Sequence, residues 1–341
     1  MPRFGNPTTI LLSRRVLVDQ GQRLQRLFGE VGADVRLLGL EGDQPLSPDE
    51  LGAVDIAFLS VDLMNAGNDP KANRPLAHFL DGVRGAAQLQ WLHICSAGAE
   101  RPLYRELIAR GVGVTTSSGA NAKAVAQTAM AGALAMAREV PRWVRSQDAR
   151  TWEPRRDEGA PRDFDGSRAT VLGLGPIGRE IAGLCKAFGL HVTGVRRKPE
   201  SIPCCDRVVA FDDLNQAIER TDWLFIACPL TDQTRGLIDR SMLRKLPAGA
   251  RLINVSRGPI VVEADLFDAL SEGVLAGAYS DVFAVEPLPA DSPLWGAPNF
   301  LLSPHSAGRS SGFPERAVQM FADNLRLWLR DQPLRHLVAA R

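Results

Sequence analysis

The run Ala169-Thr170-Val171-Leu172-Gly173-Leu174-Gly175-Pro176-Ile177-Gly178 limits the possible folds of this chain more than any other stretch. β-prone residues lead into a glycine turn, and the amphipathic pattern Ile177–Phe188 follows, so the segment reads as strand, tight turn and helix. Gly173, Gly175 and Gly178 keep the G-x-G-x-x-G spacing. The first glycine permits the turn, the second lets a pyrophosphate approach the backbone, and the third allows helix and strand to pack closely. Pro176 and Ile177 open the helix, where free N–H groups and the positive end of the helix dipole face the phosphate. Glycine-rich turns occur in many loops; it is the strand before and the helix after that make this one specific.

That unit sits in a longer alternation. Strand-like runs fall at Thr9–Leu12, Asp34–Leu38, Asp55–Leu59, Leu89–Cys95 and Gly113–Thr116. A second series runs through Ala169–Gly173, His191–Val195, Arg207–Val209, Trp223–Cys228, Arg251–Val255, Ala276–Ser280 and Asn299–Leu302. Helical patterns separate them, among them Val16–Val31, Tyr104–Arg110, Asp212–Arg220 and Glu263–Glu272. Strands alternating with helices predict parallel sheets covered on both faces, an α/β architecture. Asn121–Arg145 reads as one long helix capped by Asn121. A Pro- and charge-rich connection from Trp152 through Pro154 and Pro161 to Asp165 follows it. Pro314–Arg330 is again a long amphipathic helix. At roughly 150 residues per domain, 341 residues suit two domains. The simplest division is a doubly wound, Rossmann-type dinucleotide domain at 120–308. It is inserted into a smaller domain of residues 1–119 that 309–341 complete.

Forty basic residues stand against thirty-nine acidic ones, a net charge of +1, which points away from nucleic acid or an anionic membrane as the main partner. Met1–Ile10 lacks the apolar core and cleavage site of a secretory signal, and Thr128–Ala137 is about half the length needed to span a bilayer. The cysteines Cys95, Cys185, Cys204, Cys205 and Cys228 show no metal-type spacing and read as reduced core thiols of a cytoplasmic protein. The five histidines likewise show no ligand spacing, so no metal is expected.

The second strand of the nucleotide series ends His191-Val192-Thr193-Gly194-Val195 and runs into Arg196-Arg197-Lys198. A site selecting NAD places a carboxylate there, about 20 residues past the glycines, to bind the ribose 2′-hydroxyl. None stands at that strand end. The three cations suit the 2′-phosphate of NADP, although a solvated basic turn reads the same way; NADP is therefore the expected cofactor, with NAD possible.

In open α/β sheets ligands bind outside the carboxyl ends of the strands. Three such ends carry unusual polar residues: Arg257 in Ile253–Pro259, Asp281 and Glu286 in Ser280–Pro289, and His305 in Leu302–Gly308. Hydride reduction of a ketone leaves a developing alkoxide that needs a proton from a group titrating near neutrality. His305 is the obvious donor, a neighbouring carboxylate stabilises its charged form, and Arg257 supplies positive charge where the oxygen turns negative. Each residue alone reads more simply as structural or surface. Three together, downstream of a dinucleotide turn, are seldom incidental.

With these residues the sequence resembles the D-2-hydroxyacid dehydrogenase family, in particular its glyoxylate/hydroxypyruvate reductase branch. The likeness runs from about Leu89 to Gly308. It includes the glycine turn, Pro229–Ile238, Asn254–Gly258, Glu286-Pro287-Leu288-Pro289 and Ser303-Pro304-His305. It implies that Arg257 binds and polarises a 2-keto or 2-hydroxy acid, that Glu286 pairs with the imidazole, and that His305 is the acid/base. It further implies that Ser96, Ala97 and Gly98 form the substrate loop, whose amides hold the carboxylate, and that Cys228, Pro229 and Asp281 join the cofactor set. A flavodoxin-like substrate domain closing over a cleft, D-stereospecificity and a homodimer belong to the same implication. Where many members carry Ala-Glu-His on the interdomain helix, this chain has Ala126-Gln127-Thr128. His93, Trp295 and Arg309 are pocket candidates that read equally well as packing or surface. Two alternatives remain at this level: an NAD-dependent phosphoglycerate dehydrogenase-like enzyme, and a non-catalytic dinucleotide sensor.

Overall fold

The computed structural model describes residues 7–40, 44–64, 74–99, 101–152 and 160–339. Residues 1–6 of the N-terminal stretch, and Pro154 with the rest of 153–159 in the expected connection, lie outside them. The chain divides into two compact units, Met1–Ala120 with Ser310–Arg341, and Asn121–Arg309.

The first unit is built on five parallel strands: β1 Thr8–Ser13, β2 Val35–Leu40, β3 Val54–Leu59, β4 Trp91–Ile94 and β5 Gly113–Thr116. Their order is β2-β1-β3-β4-β5, the flavodoxin-like winding. Every residue of β1, β3 and β4 is buried, as expected of strands covered on both faces, and this is why they read as continuous apolar runs. One face packs under the C-terminal helix Phe313–Leu329, where Phe321 stacks on Phe58 with ring centroids 4.6 Å apart and lies 5.4 Å from the Trp91 ring. Beyond that helix the tail bonds to edge strand β5 through Thr116 N to His336 O and Val338 N to Val114 O, which occupies edge groups that would otherwise stay unpaired.

The second unit carries seven parallel strands: β6 Arg168–Leu172, β7 His191–Arg196, β8 Arg207–Ala210, β9 Trp223–Ile226, β10 Arg251–Asn254, β11 Gly277–Ser280 and β12 Phe300–Leu302. The order β12-β11-β10-β9-β6-β7-β8 is doubly wound, with the direction of winding reversing between β6 and β9. Two apolar layers sandwich the sheet. One is built on the helices Ala122–Ala137 and Pro176–Ala187, the other on Leu214–Ile218, Arg240–Leu243 and Glu263–Ser271. Gly132 lets the first of these helices lie on the ring of Tyr279, since a Cβ there would fall 2.7 Å from the ring.

The expected single helix Asn121–Arg145 is two helices, Ala122–Ala137 and Val140–Asp148. Pro141 has no N–H to give to a continuing helix, and its ring would clash with the carbonyl four residues back. The chain breaks at Glu139, which adopts the left-handed conformation at φ 58°. Pro141 then sits in the first turn of the second helix, where its missing donor costs nothing. Asn121 occupies the N-cap position without capping. Its side-chain amide lies against Gly308, where a Cβ would approach within 2.6 Å.

Candidate functional site

The three glycines of the turn play different parts. Gly173 takes φ 97°, and a Cβ on it would meet the backbone of Ala227 and Cys228 at 2.6–2.8 Å. A Cβ on Gly178 would stand 1.8 Å from the carbonyl oxygen of Gly173. A Cβ on Gly175 would meet nothing within 4 Å. Gly173 and Gly178 therefore serve the protein's own packing, while Gly175 leaves open space at the N-cap of the helix Pro176–Ala187. Pro176 at the first turn spends no donor there, and Arg179 Nε ties back to Leu174 O at 3.1 Å. The turn projects from β6 beside the end of β9, the place where the winding reverses. This is a cradle suited to a dinucleotide pyrophosphate.

Cys228 and Pro229 follow β9. The Cys228 carbonyl accepts from Ser256 Oγ, and the Pro229 carbonyl accepts from Thr234 Oγ1 at 2.8 Å. Burial pushes the Cys228 thiol up to about 12, so it is a packing group and not a nucleophile. Arg196 is the last residue of β7, with Arg197 and Lys198 exposed just beyond. A carboxylate does face this end: Glu200 Oε2 stands 3.3 Å from Arg196 Nη1. The sequence carries no signal for this contact, because a four-residue spacing pairs side chains on a helix and residues 196–200 are a strand end and a bend.

The polar residues after β10, β11 and β12 come together. Asn254, buried at the end of β10, accepts from Ser256 N at 3.1 Å and donates to Arg257 O at 3.2 Å, closing the turn that presents the half-buried Arg257. Next to it, a Cβ on Gly258 would overlap the Phe283–Ala284 backbone, with contacts of 1.9–2.4 Å, so glycine is required to seat this turn on the loop that carries Glu286. Glu286 accepts from Phe283 N at 2.9 Å through Oε1 and meets His305 Nδ1 at 2.6 Å through Oε2. The Glu286-Pro287 bond is cis.

His305 adopts φ 48°, a conformation histidine enters more readily than most residues, and Asp281 holds it there. The Asp281 carboxylate, 3% exposed, accepts from Ser303 Oγ, from Ser306 N at 2.8 Å and from Ala307 N at 3.0 Å. The Asp281 carbonyl accepts from His305 N at 2.8 Å. Tyr279 OH extends the network to Ser303 Oγ at 2.6 Å, and Thr128 Oγ1 reaches Ala307 O at 3.2 Å. Asp281, expected among the cofactor residues, thus clamps the loop bearing His305. Tyr279 and Ser303, to which the sequence alone gives no role, complete that clamp.

The electrostatics follow the geometry. The Glu286 hydrogen bond holds the His305 imidazole above its ordinary value; burial opposes this, and the Glu286 and Asp281 charges reinforce it. Burial pushes Glu286 up, but the His305 and Phe283 hydrogen bonds and the charges of His305 and Arg257 outweigh it, so the carboxyl lies below its ordinary value. The two shifts both favour imidazolium beside carboxylate, and 50% of the His305 side chain stays exposed.

In the first unit, Ser96, Ala97 and Gly98 follow β4. The Ser96 hydroxyl donates to Gly98 O at 2.8 Å, and among the described residues nothing accepts from the three amides. Of the other candidates, His93 is buried, whereas Trp295 is 54% exposed and Arg309 lies at the surface. No group of three or more His, Cys, Asp or Glu able to hold a metal occurs among the described residues, nor does any described helix suffice in length and apolarity to cross a membrane.

Residues 130–307 match the family model described as D-isomer specific 2-hydroxyacid dehydrogenase, NAD binding domain. A glyoxylate reductase of Korarchaeum cryptofilum is 34% identical over 65% of this chain and 67% of its own. A D-3-phosphoglycerate dehydrogenase of Methanocaldococcus jannaschii is 28% identical over 76% of this chain and 49% of its own, so the chain spans about half the length of that relative. A crystal structure of a D-isomer specific 2-hydroxyacid dehydrogenase from Xanthobacter autotrophicus, in complex with NADPH and MES, superposes with a TM-score of 0.72 at 29% identity, covering 99% of each chain. The chain belongs to the D-isomer specific 2-hydroxyacid dehydrogenase family, and its second unit carries that family's nicotinamide dinucleotide-binding domain.

Proposed function

We propose that this protein reduces a small 2-keto acid of the glyoxylate or hydroxypyruvate kind to its 2-hydroxy acid, of D configuration where C2 becomes a stereocentre, with NADPH preferred over NADH. The observation that carries the reading is the His305–Glu286 pair, 2.6 Å apart, joining the loops after β12 and β11, the latter packed on the Arg257 turn. The glyoxylate reductase relative and the NADPH complex of the Xanthobacter protein agree with it.

The open space at Gly175, bounded by the tightly packed Gly173 and Gly178, fits a pyrophosphate. We assign Gly173–Gly178, Arg196, Arg197, Lys198, Cys228 and Pro229 to the cofactor, with Arg196 and Arg197 reading the 2′-phosphate. When bound, the nicotinamide supplies a hydride to C2 of the keto acid. Arg257 grips the acid by paired hydrogen bonds and draws electron density onto the keto oxygen. Protonated His305 gives its Nε2 proton to that oxygen as the C2–H bond forms, and Glu286 holds the ring through Nδ1 throughout. The unengaged amides at Ser96, Ala97 and Gly98 receive the carboxylate. Keto acid, NADPH and one proton thus become hydroxy acid and NADP⁺. A homodimer and a cytoplasmic setting complete the reading; the five free thiols support a reducing compartment.

The test is the absorbance of NADPH, and separately of NADH, mixed with protein and glyoxylate, hydroxypyruvate, pyruvate or phenylpyruvate. NADPH oxidation by glyoxylate or hydroxypyruvate supports the proposal. Turnover only of NAD with 3-phosphoglycerate moves the assignment to the phosphoglycerate dehydrogenase branch. Tight NADPH binding without turnover points to a sensor.

A further inference from the structure

Three polar side chains are sealed inside the first unit. Trp91 and His93 share one face of β4, and His93 stands directly opposite Thr115 on β5. Trp91 Nε1 donates to Thr115 Oγ1 at 2.8 Å, His93 Nδ1 meets the same oxygen at 2.7 Å, and His93 Nε2 meets Ser117 Oγ at 3.0 Å. His93 and Thr115 are 0% exposed and Ser117 is 1% exposed. The rings of Phe58, Trp91 and Phe321 surround the imidazole at 5.5–6.1 Å. An apolar side chain would suit such a place equally well, so the satisfied polar chain calls for a purpose.

The imidazole bridges two hydroxyls, each of which can donate or accept, so both ring nitrogens are engaged in either neutral tautomer. Burial pushes its pKa down to about 3, so the ring stays neutral across the working pH range. Ser117 is where the chain ends and the candidate substrate loop is held: its amide donates to Ile94 O at 2.9 Å and to Ser96 O at 3.1 Å. Ser96 in turn fixes Gly98 O.

We propose that His93 is a positioning residue that, through Ser117, sets the Ser96–Gly98 loop in the geometry that receives the substrate carboxylate. The inference rests on the functional reading above for the carboxylate and on the geometry alone for the loop.

The experiment compares the full-length protein with His93→Leu, His93→Gln and Ser117→Ala, by keto-acid kinetics and by hydrogen exchange at the Ser117 amide. Losing one buried hydrogen bond that orients the loop should raise KM for the keto acid about tenfold in His93→Leu and Ser117→Ala, with kcat and the Kd for NADPH within about twofold of the parent. His93→Gln, whose amide can donate to one hydroxyl and accept from the other, should recover most of the KM. Combining His93→Leu with Ser117→Ala should add little to either alone. Exchange at Ser117 should rise about tenfold in His93→Leu. Unchanged Ser117 exchange in a folded His93→Leu or Ser117→Ala protein overturns the inference whether or not any keto acid is turned over. So does a KM within twofold of the parent, or a loss of KM, kcat and Tm together that glutamine does not relieve. If the parent turns over no keto acid while His93→Leu speeds Ser117 exchange, the loop assignment stands and the functional reading falls.

Discussion

His305 Nδ1 and Glu286 Oε2 stand 2.6 Å apart, which leaves Nε2 as the ring nitrogen with no partner among the described residues. One edge of the imidazole is thereby fixed and the other is left for a reactant. The contact also sets the pH range of the proposed reduction. A histidine held above its ordinary value keeps its proton to higher pH, so kcat/KM for reduction should fall on a basic limb that lies above that of an unperturbed imidazole. Glu286→Gln removes the main cause of the rise, so that limb should move to lower pH. A limb that does not move in Glu286→Gln would exclude the pair as its origin.

The same pair bears on stability, with opposite signs at its two members. The contribution of His305, raised in the folded state, is complete below its unfolded value and is lost as pH rises through the folded one. That of Glu286, lowered in the folded state, is present above its unfolded value and is lost as pH falls through the folded one. Thermal unfolding from pH 4 to 9 should show parent and Glu286→Gln differing most between these limits. The difference should be small, since half of the His305 side chain lies in solvent.

Gly175 and Gly178 should fail in different ways. Gly178→Ala forces a Cβ against the Gly173 carbonyl and should lower stability by about 1–3 kcal/mol without any ligand. Gly175→Ala meets open space at φ −70°, so the unliganded protein should keep its Tm while the Kd for NADPH rises about tenfold or more. Calorimetry of both variants with and without NADPH checks this. Equal loss of Tm in both would mean that Gly175 serves packing.

Arg196 is shared between two claims on it, Glu200 and the proposed 2′-phosphate. Arg196→Gln with Arg197→Gln should weaken NADPH by about tenfold and NADH by less than twofold. Glu200→Gln, which releases Arg196, should tighten NADPH alone. Fluorescence titration of both cofactors gives the ratio, and parallel changes would show that these cations do not read the phosphate.

Much of the fold could be read in the sequence because both sheets are parallel and covered. Such strands appear as short apolar runs, and all twelve strands of the described residues fall on runs marked in the sequence. What escaped was local or tertiary. Pro141 broke a helix whose apolar pattern carried on through it, and the helices Pro48–Ala53 and Arg240–Leu243 are too short for a period to show. At the candidate site, Arg257, Glu286 and His305 stood out because polar residues after apolar strands are conspicuous. The bonds of Asp281 to Ser306 and Ala307 could not be read, since backbone amides carry no sequence signature. His93 was ambiguous for a similar reason: only the packing of Phe58, Trp91 and Phe321 separates a buried histidine from one lining a pocket.

The most direct test is His305→Ala, measured beside the parent for NADPH oxidation with glyoxylate and hydroxypyruvate and for NADPH affinity by titration. Loss of the proton donor should cut kcat by about 10²–10⁴-fold while the Kd for NADPH stays within about twofold. A variant that turns over as fast as the parent, or one that loses cofactor affinity in step with rate, would contradict the assignment of His305 as the proton donor in a 2-keto acid reductase.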